Sequence, residues 1–324
     1  MAIPIRFVLI IFLFSGCAKE QPKPSVQKTV IRSDTTSVPL FDSSSAFRYL
    51  LKQTDFGPRV PSSIAHEKCL AFFQREFSQF TEAVNLQSFS HVGYDGKNIS
   101  LTNVIASFNL KATTRILLLA HWDSRPRADQ DIDRAKRTRA ILGANDGASG
   151  VAVLLEIARQ LKIHPCPVGV DILLTDGEDY GEEGNLTNYF LGARYFAQNL
   201  PAGYKPVFGI LLDMVGDRQL NLLKEPYSIK YAPDIVNLVW STAKELNIYQ
   251  FEDQTRSFNI QDDHLPLNEV GIKTIDIIDF GYPDETNRYW HTTHDTPDKC
   301  SGESLEAVGK VLLHILYQYP STPG

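Results

Sequence analysis

The chain has 324 residues, of which 43% are hydrophobic and 22% charged, with a formal net charge of −6. Those fractions suit a folded globular enzyme, and the length allows one large domain or two small ones. A net negative chain lacks the basic surface that nucleic acid attracts, so no nucleic-acid partner is expected.

At the N-terminus, Arg6 precedes an apolar run at residues 7–14. The run is too short to span a bilayer as a permanent helix and reads as an export signal. Ser15-Gly16-Cys17 comes next and resembles a bacterial lipoprotein processing site. That likeness implies cleavage before Cys17 and lipidation of its thiol, with the domain facing the periplasm or the cell exterior. Residues 18–38 are rich in Lys, Pro, Ser, Thr and Gln and cannot bury enough apolar surface to fold. The expected organisation is a signal peptide at 1–17, a flexible tether at 18–41 and one catalytic domain at 42–324. Cys69, Cys166 and Cys300 remain, an odd number with no Cys-x-x-Cys pair. A thiolate zinc site is therefore not expected, and the sequence cannot choose a disulfide.

Within the domain, residues 43–51 and 65–80 carry helix-like apolar spacing, and the Gly- and Pro-rich stretch 56–61 joins them. Residues 102–108 alternate as a strand. Four short, mostly apolar runs come after it, at 116–120, 170–174, 210–212 and 274–278, with Asp171 and Asp276 inside the second and fourth. Each is strand-length and mostly apolar on both faces, as in a sheet covered by helices on both sides. Helical patterns at 148–161, 189–198, 232–246 and 305–317 alternate with them. The expected fold is a single α/β domain with a mostly parallel central sheet. Residues 129–139 read as a charged surface loop.

The informative pattern lies just beyond the end of each buried strand. The first apolar run ends in His121-Trp122-Asp123, the second in Thr175-Asp176-Gly177-Glu178-Asp179, the third in Asp213. Open α/β sheets bind ligands beyond the carboxyl ends of their strands. Asp146 stands in Gly143-Ala144-Asn145-Asp146-Gly147 before a helix, where an acid also serves as a cap. His291, in Trp290-His291-Thr292, lies between the last strand and the last helix. Carboxylates gathered at one rim raise one another's pKa, and a dication removes that penalty. Imidazole and carboxylate are the ligands zinc accepts where Cys is absent.

These segments resemble the zinc aminopeptidase and glutaminyl cyclase superfamily from about Phe56 to the C-terminus. Asp262-Asp263-His264-Leu265-Pro266 and Trp290 beside His291 resemble the cyclase branch; aminopeptidases usually show one Asp before that His. For a cyclase, the resemblance implies one zinc on Asp146, Asp179 and His291, with Glu178 as the proton-transfer carboxylate. It further implies Asp213 and Asp262 as hydrogen-bonded acids. The substrate would be a peptide or protein with N-terminal Gln. For an aminopeptidase it implies two zinc ions, the second on His121, Asp146 and Asp213. In a cyclase His121 would brace the site and Asp123 would orient it. Trp290 and Tyr189 are the expected substrate walls. Tyr189 and Phe190 stand where cyclases often have a Trp, and Arg127 where bacterial relatives often have an aromatic. Trp122, His66 and Arg59 are expected to be structural, and His264 is read either as buried beside the rim or as a direct participant. Glu182-Glu183 reads as a solvated loop.

Overall fold

The computed structural model describes residues 37–182 and 184–320. The expected export signal, Cys17 and most of the expected tether lie outside those residues. The chain opens with two helices, α1 (Ser43–Thr54) and α2 (Ile64–Phe80). Each begins on a side-chain cap: Asp42 accepts from Ser45 N–H, and Ser63 from His66 N–H. Both caps satisfy otherwise orphaned amide groups. Then come β1 (Ala83–Val92), β2 (Asn98–Phe108), β3 (Arg115–His121), α3 (Ala148–Ile163) and β4 (Gly169–Thr175). They are followed by α4 (Leu191–Gln198), β5 (Phe208–Asp213), β6 (Leu222–Lys224), α5 (Pro226–Tyr231) and α6 (Pro233–Glu245). The chain closes with β7 (Phe251–Thr255), α7 (His264–Glu269), β8 (Thr274–Ile278) and α8 (Gly302–Gln318).

The main sheet runs β1-β2-β4-β3-β5-β8, while β6 and β7 form a separate two-stranded ribbon. Strands β4, β3, β5 and β8 are mutually parallel, and the β1–β2 hairpin adds antiparallel to β4. The four parallel strands are the four apolar runs of the sequence. Their alternate side chains enter different layers. Ile116, Leu118, Ile210 and Leu212 pack with Leu50, Phe73, Leu154 and Leu312 of α1, α2, α3 and α8. Leu117, Leu119, Leu173 and Leu211 pack with Phe196 of α4 and Leu267 of α7. Burial on both faces explains why these strands lack polar alternation.

Some elements differ from expectation. The helix expected at 189–198 starts at Leu191, because Phe190 takes a left-handed φ of 58° and its N–H donates to Glu178 O at 3.0 Å. The helical stretch 232–246 has a separate forerunner, α5, and α6 begins on Pro233, a residue suited to a first helical turn. Strand β1 alternates only between exposed and half-buried residues, so its pattern carried no apolar signal. The last residues of the expected tether sit on the folded body: Phe41 is buried, and a Cβ on Gly309 would come within 2.1 Å of its ring. Cys69, Cys166 and Cys300 are all buried and free. No helix among the described residues is long and apolar enough to cross a membrane.

Candidate active site

The carboxyl ends of the parallel strands build the site. β3 ends on His121, β5 on Asp213, and the loop after β4 presents Glu178 and Asp179. Asp146 sits just before α3, Asp262 just before α7, and His291 in the loop between β8 and α8. The cavity they enclose measures about 170 Å³ and is lined by Asp146, Glu178, Asp179, Asp213, Asp262 and His291. Its apolar walls are Tyr189, Phe190, Ile260, Ile278, Phe280 and Trp290. Trp290 stacks on the His291 imidazole with ring centres 3.7 Å apart. Tyr189 and Trp290 thus both line this cavity.

Two donor triads share Asp146. In each, His121–Asp146–Asp213 and Asp146–Asp179–His291, the donor atoms lie within 4.8 Å of one another. His291 Nε2 is 3.2 Å from Asp179 Oδ1 and 3.6 Å from Asp146 Oδ2. Ligands about 2.1 Å from a tetrahedral ion stand roughly 3.4 Å apart, so this spacing fits zinc. Asp146 Oδ2 and Asp179 Oδ2 are buried without any hydrogen-bond partner. Unsatisfied buried carboxylate oxygens are costly unless something cationic meets them. In the other triad, His121 Nε2 lies 3.1 Å from Asp146 Oδ1 and 3.2 Å from Asp213 Oδ1.

Neighbouring side chains fix these ligands. Arg125 Nη1 donates to Asp179 Oδ1 at 2.7 Å, Arg125 Nε to Asp129 Oδ1 at 2.8 Å, and Arg125 Nη2 to the Tyr189 hydroxyl at 3.0 Å. Asp129 Oδ1 in turn lies 3.8 Å from His291 Nδ1. The carboxylate of Asp295 accepts from the backbone N–H groups of Asn145 and Asp146 at 2.8 and 3.2 Å, and from the Tyr282 hydroxyl at 2.9 Å. Gly147 cannot be exchanged for a larger residue, since a Cβ there would stand 2.5 Å from the His121 carbonyl oxygen and 2.6 Å from its ring. Arg59, expected to be structural, is buried and donates to the carbonyls of Trp122, Leu142 and Gly143. It thereby ties the end of β3 to the Asp146 loop.

The electrostatics stem from burial. Desolvation, with Asp262 nearby, pushes the Glu178 carboxyl well above the usual range. Burial and Asp213 do the same to Asp262, and burial with Asp179 raises Asp146. Asp179 is the contrast: burial would raise it, but His291 and Arg125 hold it below the usual carboxylate range. Burial alone would lower His121, yet Asp123, Asp146 and Asp213 raise it well above the imidazole norm. One rim thus holds Asp179, kept below the usual carboxylate range, beside Glu178, pushed above it, the separation that acid–base chemistry needs.

The structure revises several expectations. Asp123 mainly accepts from the backbone N–H groups of Glu178 and Asp179, at 3.1 and 3.3 Å. His121 Nδ1 stays 3.5 Å from it, outside hydrogen-bond geometry. Asp123 therefore sets the catalytic loop more than the imidazole. His264 does not line the cavity; it is fully buried, with Nε2 3.5 Å from Glu225 Oε2. The segment 129–139 is only partly a surface loop: Asp131 is buried and accepts from Thr293, and Gln130 lines the cavity. Trp122 is core, stacked on His66 at 4.2 Å, and His66 Nε2 pairs with Asp176 at 2.9 Å. Sequence reasoning missed Arg125, Asp129 and Asp295. Arg125 had a usable signal, because it stands after His121 and Asp123 beyond the same strand end.

Residues 103–316 match peptidase family M28. The chain belongs to this family. Among M28-like structures, a crystal structure of glutaminyl cyclase from Bacteroides thetaiotaomicron is 41% identical, with a TM-score of 0.84, over 88% of this chain and 100% of that one. A second structure from that organism, described as a leucine aminopeptidase precursor, has the same identity and TM-score. Porphyromonas gingivalis glutaminyl cyclase is 39% identical, with a TM-score of 0.82, over 86% of this chain and 98% of its own. The glutaminyl-peptide cyclotransferase of Gloydius blomhoffii is 25% identical over 269 residues, 71% of this chain and 68% of that protein. The match begins within β2 and ends within α8, so it contains every residue that lines the cavity.

Proposed function

We propose that this M28 protein is a zinc-dependent glutaminyl-peptide cyclotransferase, which closes the N-terminal Gln of peptides or proteins to pyroglutamate and releases ammonia. The observation that carries the reading is Glu178, its carboxyl raised above the usual range by burial and Asp262, beside a zinc-compatible triad in a small cavity walled by aromatic rings.

Asp146, Asp179 and His291 would hold one zinc. Bound there, the ion supplies Lewis-acid polarisation of the substrate's γ-amide carbonyl. The remaining work falls to the protein. Trp290, Tyr189 and Ile260 exclude water and fold the Gln side chain back toward its own α-amine. Ring closure is intramolecular, so that positioning carries much of the rate. Glu178 takes a proton from the attacking amine as the new C–N bond forms. It returns a proton to the amide nitrogen as the old C–N bond breaks and ammonia leaves. Asp213 and Asp262, the acids that line the cavity with Glu178, orient the amine for it.

The His121–Asp146–Asp213 triad supports a second reading, an aminopeptidase with two zinc ions in which Glu178 would activate water. Gln- and Leu-initiated peptides separate the two. A cyclase releases ammonia from the Gln peptide and leaves the Leu peptide untouched. An aminopeptidase releases a free amino acid from either.

For residues 1–41 we propose export and attachment to a bacterial membrane through lipid on Cys17. A Cys17→Ser protein should lose label from radioactive fatty acid and leave the membrane fraction; retention of both would remove the anchor from the account.

A further inference from the structure

The segment between Gln130 and Ile141 leaves the catalytic cavity and returns to it. At one end Gln130 lines the cavity, and its N–H donates to the His291 carbonyl at 3.2 Å. At the other, Ile141 N–H donates at 3.1 Å to the carbonyl of Arg125, a second lining residue. The residues between are tied down. Asp131 accepts from the N–H and hydroxyl of Thr293 at 3.1 and 2.6 Å, and Arg137 Nε donates to the Asp131 carbonyl at 2.7 Å. A short 3-10 turn, Arg134–Lys136, forms the tip, with Asp133 accepting from Ala135 N–H at 3.0 Å. Compact loops whose two ends meet at a site often carry function.

Charge sets this loop apart from the rest of the chain. Residues 132–140 hold four cations, Arg134, Lys136, Arg137 and Arg139, against one acid, Asp133, and so carry a net +3 in a chain of net −6. Three of the cations are exposed and Lys136 is half-buried. Arg125 and Arg127, just before the loop, both meet Asp129, whereas no described acid stands within ion-pair distance of the four loop cations. Solvated charge of one sign beside a cavity attracts the opposite sign over about 10 Å at 0.1 M ionic strength. Arg137, held on the carbonyl of the residue next to Gln130, lies inside that range of the cavity.

We infer that this basic loop selects substrates with acidic residues a few positions after the N-terminal Gln. The inference rests on the cyclase reading and names the substrate class of that same site: polypeptides that begin with Gln and continue into acidic sequence. An extended chain advances about 3.3 Å per residue, so its fourth and fifth residues stand roughly 10–13 Å from the first. Acids there feel the loop without entering the cavity. Attraction through solvent requires nearness rather than a fixed path, and salt weakens it. An anionic lipid surface offers the same charge, but only a polypeptide also places a group in the cavity where both ends of the loop lie.

The test compares amides of Gln-Ala-Ala-Glu-Glu, Gln-Ala-Ala-Gln-Gln and Gln-Ala-Ala-Lys-Lys on two zinc-loaded proteins. One is wild type; the other carries Arg134→Gln, Lys136→Gln and Arg139→Gln. Arg137 is kept because its bond to Asp131 shapes the loop. Exposed ion pairs each contribute about 1.4- to 5-fold. In about 20 mM salt, wild type should favour the Glu peptide over the Gln peptide about two- to twentyfold in kcat/KM, expressed in KM, with the Lys peptide below both. The ratio should fall toward one in about 0.5 M salt and stay within about twofold of one in the triple variant. Equal kcat/KM for the Glu and Gln peptides in wild type at low salt would overturn the inference and leave the cyclase reading intact. A preference that persists in the triple variant would do the same. If peptides are handled alike while the Cys17→Ser protein pellets with phosphatidylglycerol vesicles, and the triple variant abolishes pelleting, the loop serves a lipid surface and the inference falls. If no Gln peptide is cyclised, the cyclase reading fails, and calorimetric binding of the same peptides to the Glu178→Gln protein decides the loop. Tighter binding of the Glu peptide, lost on adding the triple substitution, supports it; equal affinities refute it.

Discussion

Arg125 grips the Asp179 oxygen that also faces His291: Nη1 stands 2.7 Å from Oδ1, and His291 Nε2 stands 3.2 Å from the same atom. Asp179 Oδ2 is left buried without a hydrogen-bond partner. Arg125 also holds Asp129, which lies beside the other nitrogen of His291. Removing such a support typically weakens metal binding about 10- to 100-fold. The Arg125→Lys protein keeps the charge and loses the fork. It should release zinc to a chelator at correspondingly lower concentrations. Zinc retention equal to wild type would show that the ligands do not depend on Arg125.

Glu178 should separate chemistry from metal binding. Glu178→Gln removes the proton acceptor and leaves Asp146, Asp179 and His291 in place. A loss of roughly 10²–10⁴ in kcat is expected with unchanged zinc content. Near-normal turnover would take the proton-transfer role away from Glu178.

Arg59 should matter to stability through hydrogen bonds rather than charge pairing. Its guanidinium satisfies three buried carbonyls, at 2.9, 2.7 and 2.7 Å. Arg59→Met leaves them unpaired, at about 1–3 kcal/mol each. Urea unfolding should show a loss of at least about 3 kcal/mol. A loss below about 1 kcal/mol would mean that water replaces the side chain at no cost.

Asp279 gives a pH dependence away from the metal ligands. Burial raises its carboxyl from the ordinary 3.8 to about 7, against the opposing effect of N–H groups from Asn221 and Gly281. The folded state therefore binds this proton more tightly than the unfolded chain. Its contribution is fully present below about pH 4 and is lost as pH rises toward 7. Asp279→Asn keeps the side chain neutral but accepts from only one of the two N–H groups. It should be about 1 kcal/mol less stable than wild type at pH 5, with the gap narrowing or reversing by pH 8. A gap that stays constant across this range would contradict the shift.

The parallel strands and the rim residues were legible in the sequence because both obey local rules. A strand buried on both faces is mostly apolar, the buried Asp171 and Asp276 being the exceptions here, and a binding rim must begin where that run stops. His121, Asp213 and the Glu178-Asp179 pair all stand at such ends. Arg125, Asp129 and Asp295 act through contacts between positions far apart in the chain, 150 residues in the case of Asn145 and Asp295. No periodicity records a contact of that kind. Strand β1 escaped notice because one side of it meets solvent and the other is only half covered. The start of α4 was misplaced because Phe190 bonds back to Glu178, a tertiary constraint stronger than helix propensity.

The central claim is that this site forms a ring on an intact peptide rather than cutting it. Mass spectrometry of one Gln-initiated peptide after incubation with the zinc-loaded protein tests it most directly. The account predicts a product of full length, lighter by one ammonia and no longer carrying a free α-amine, and absent with Glu178→Gln. A product shorter by its first residue, with free Gln in solution, would contradict it.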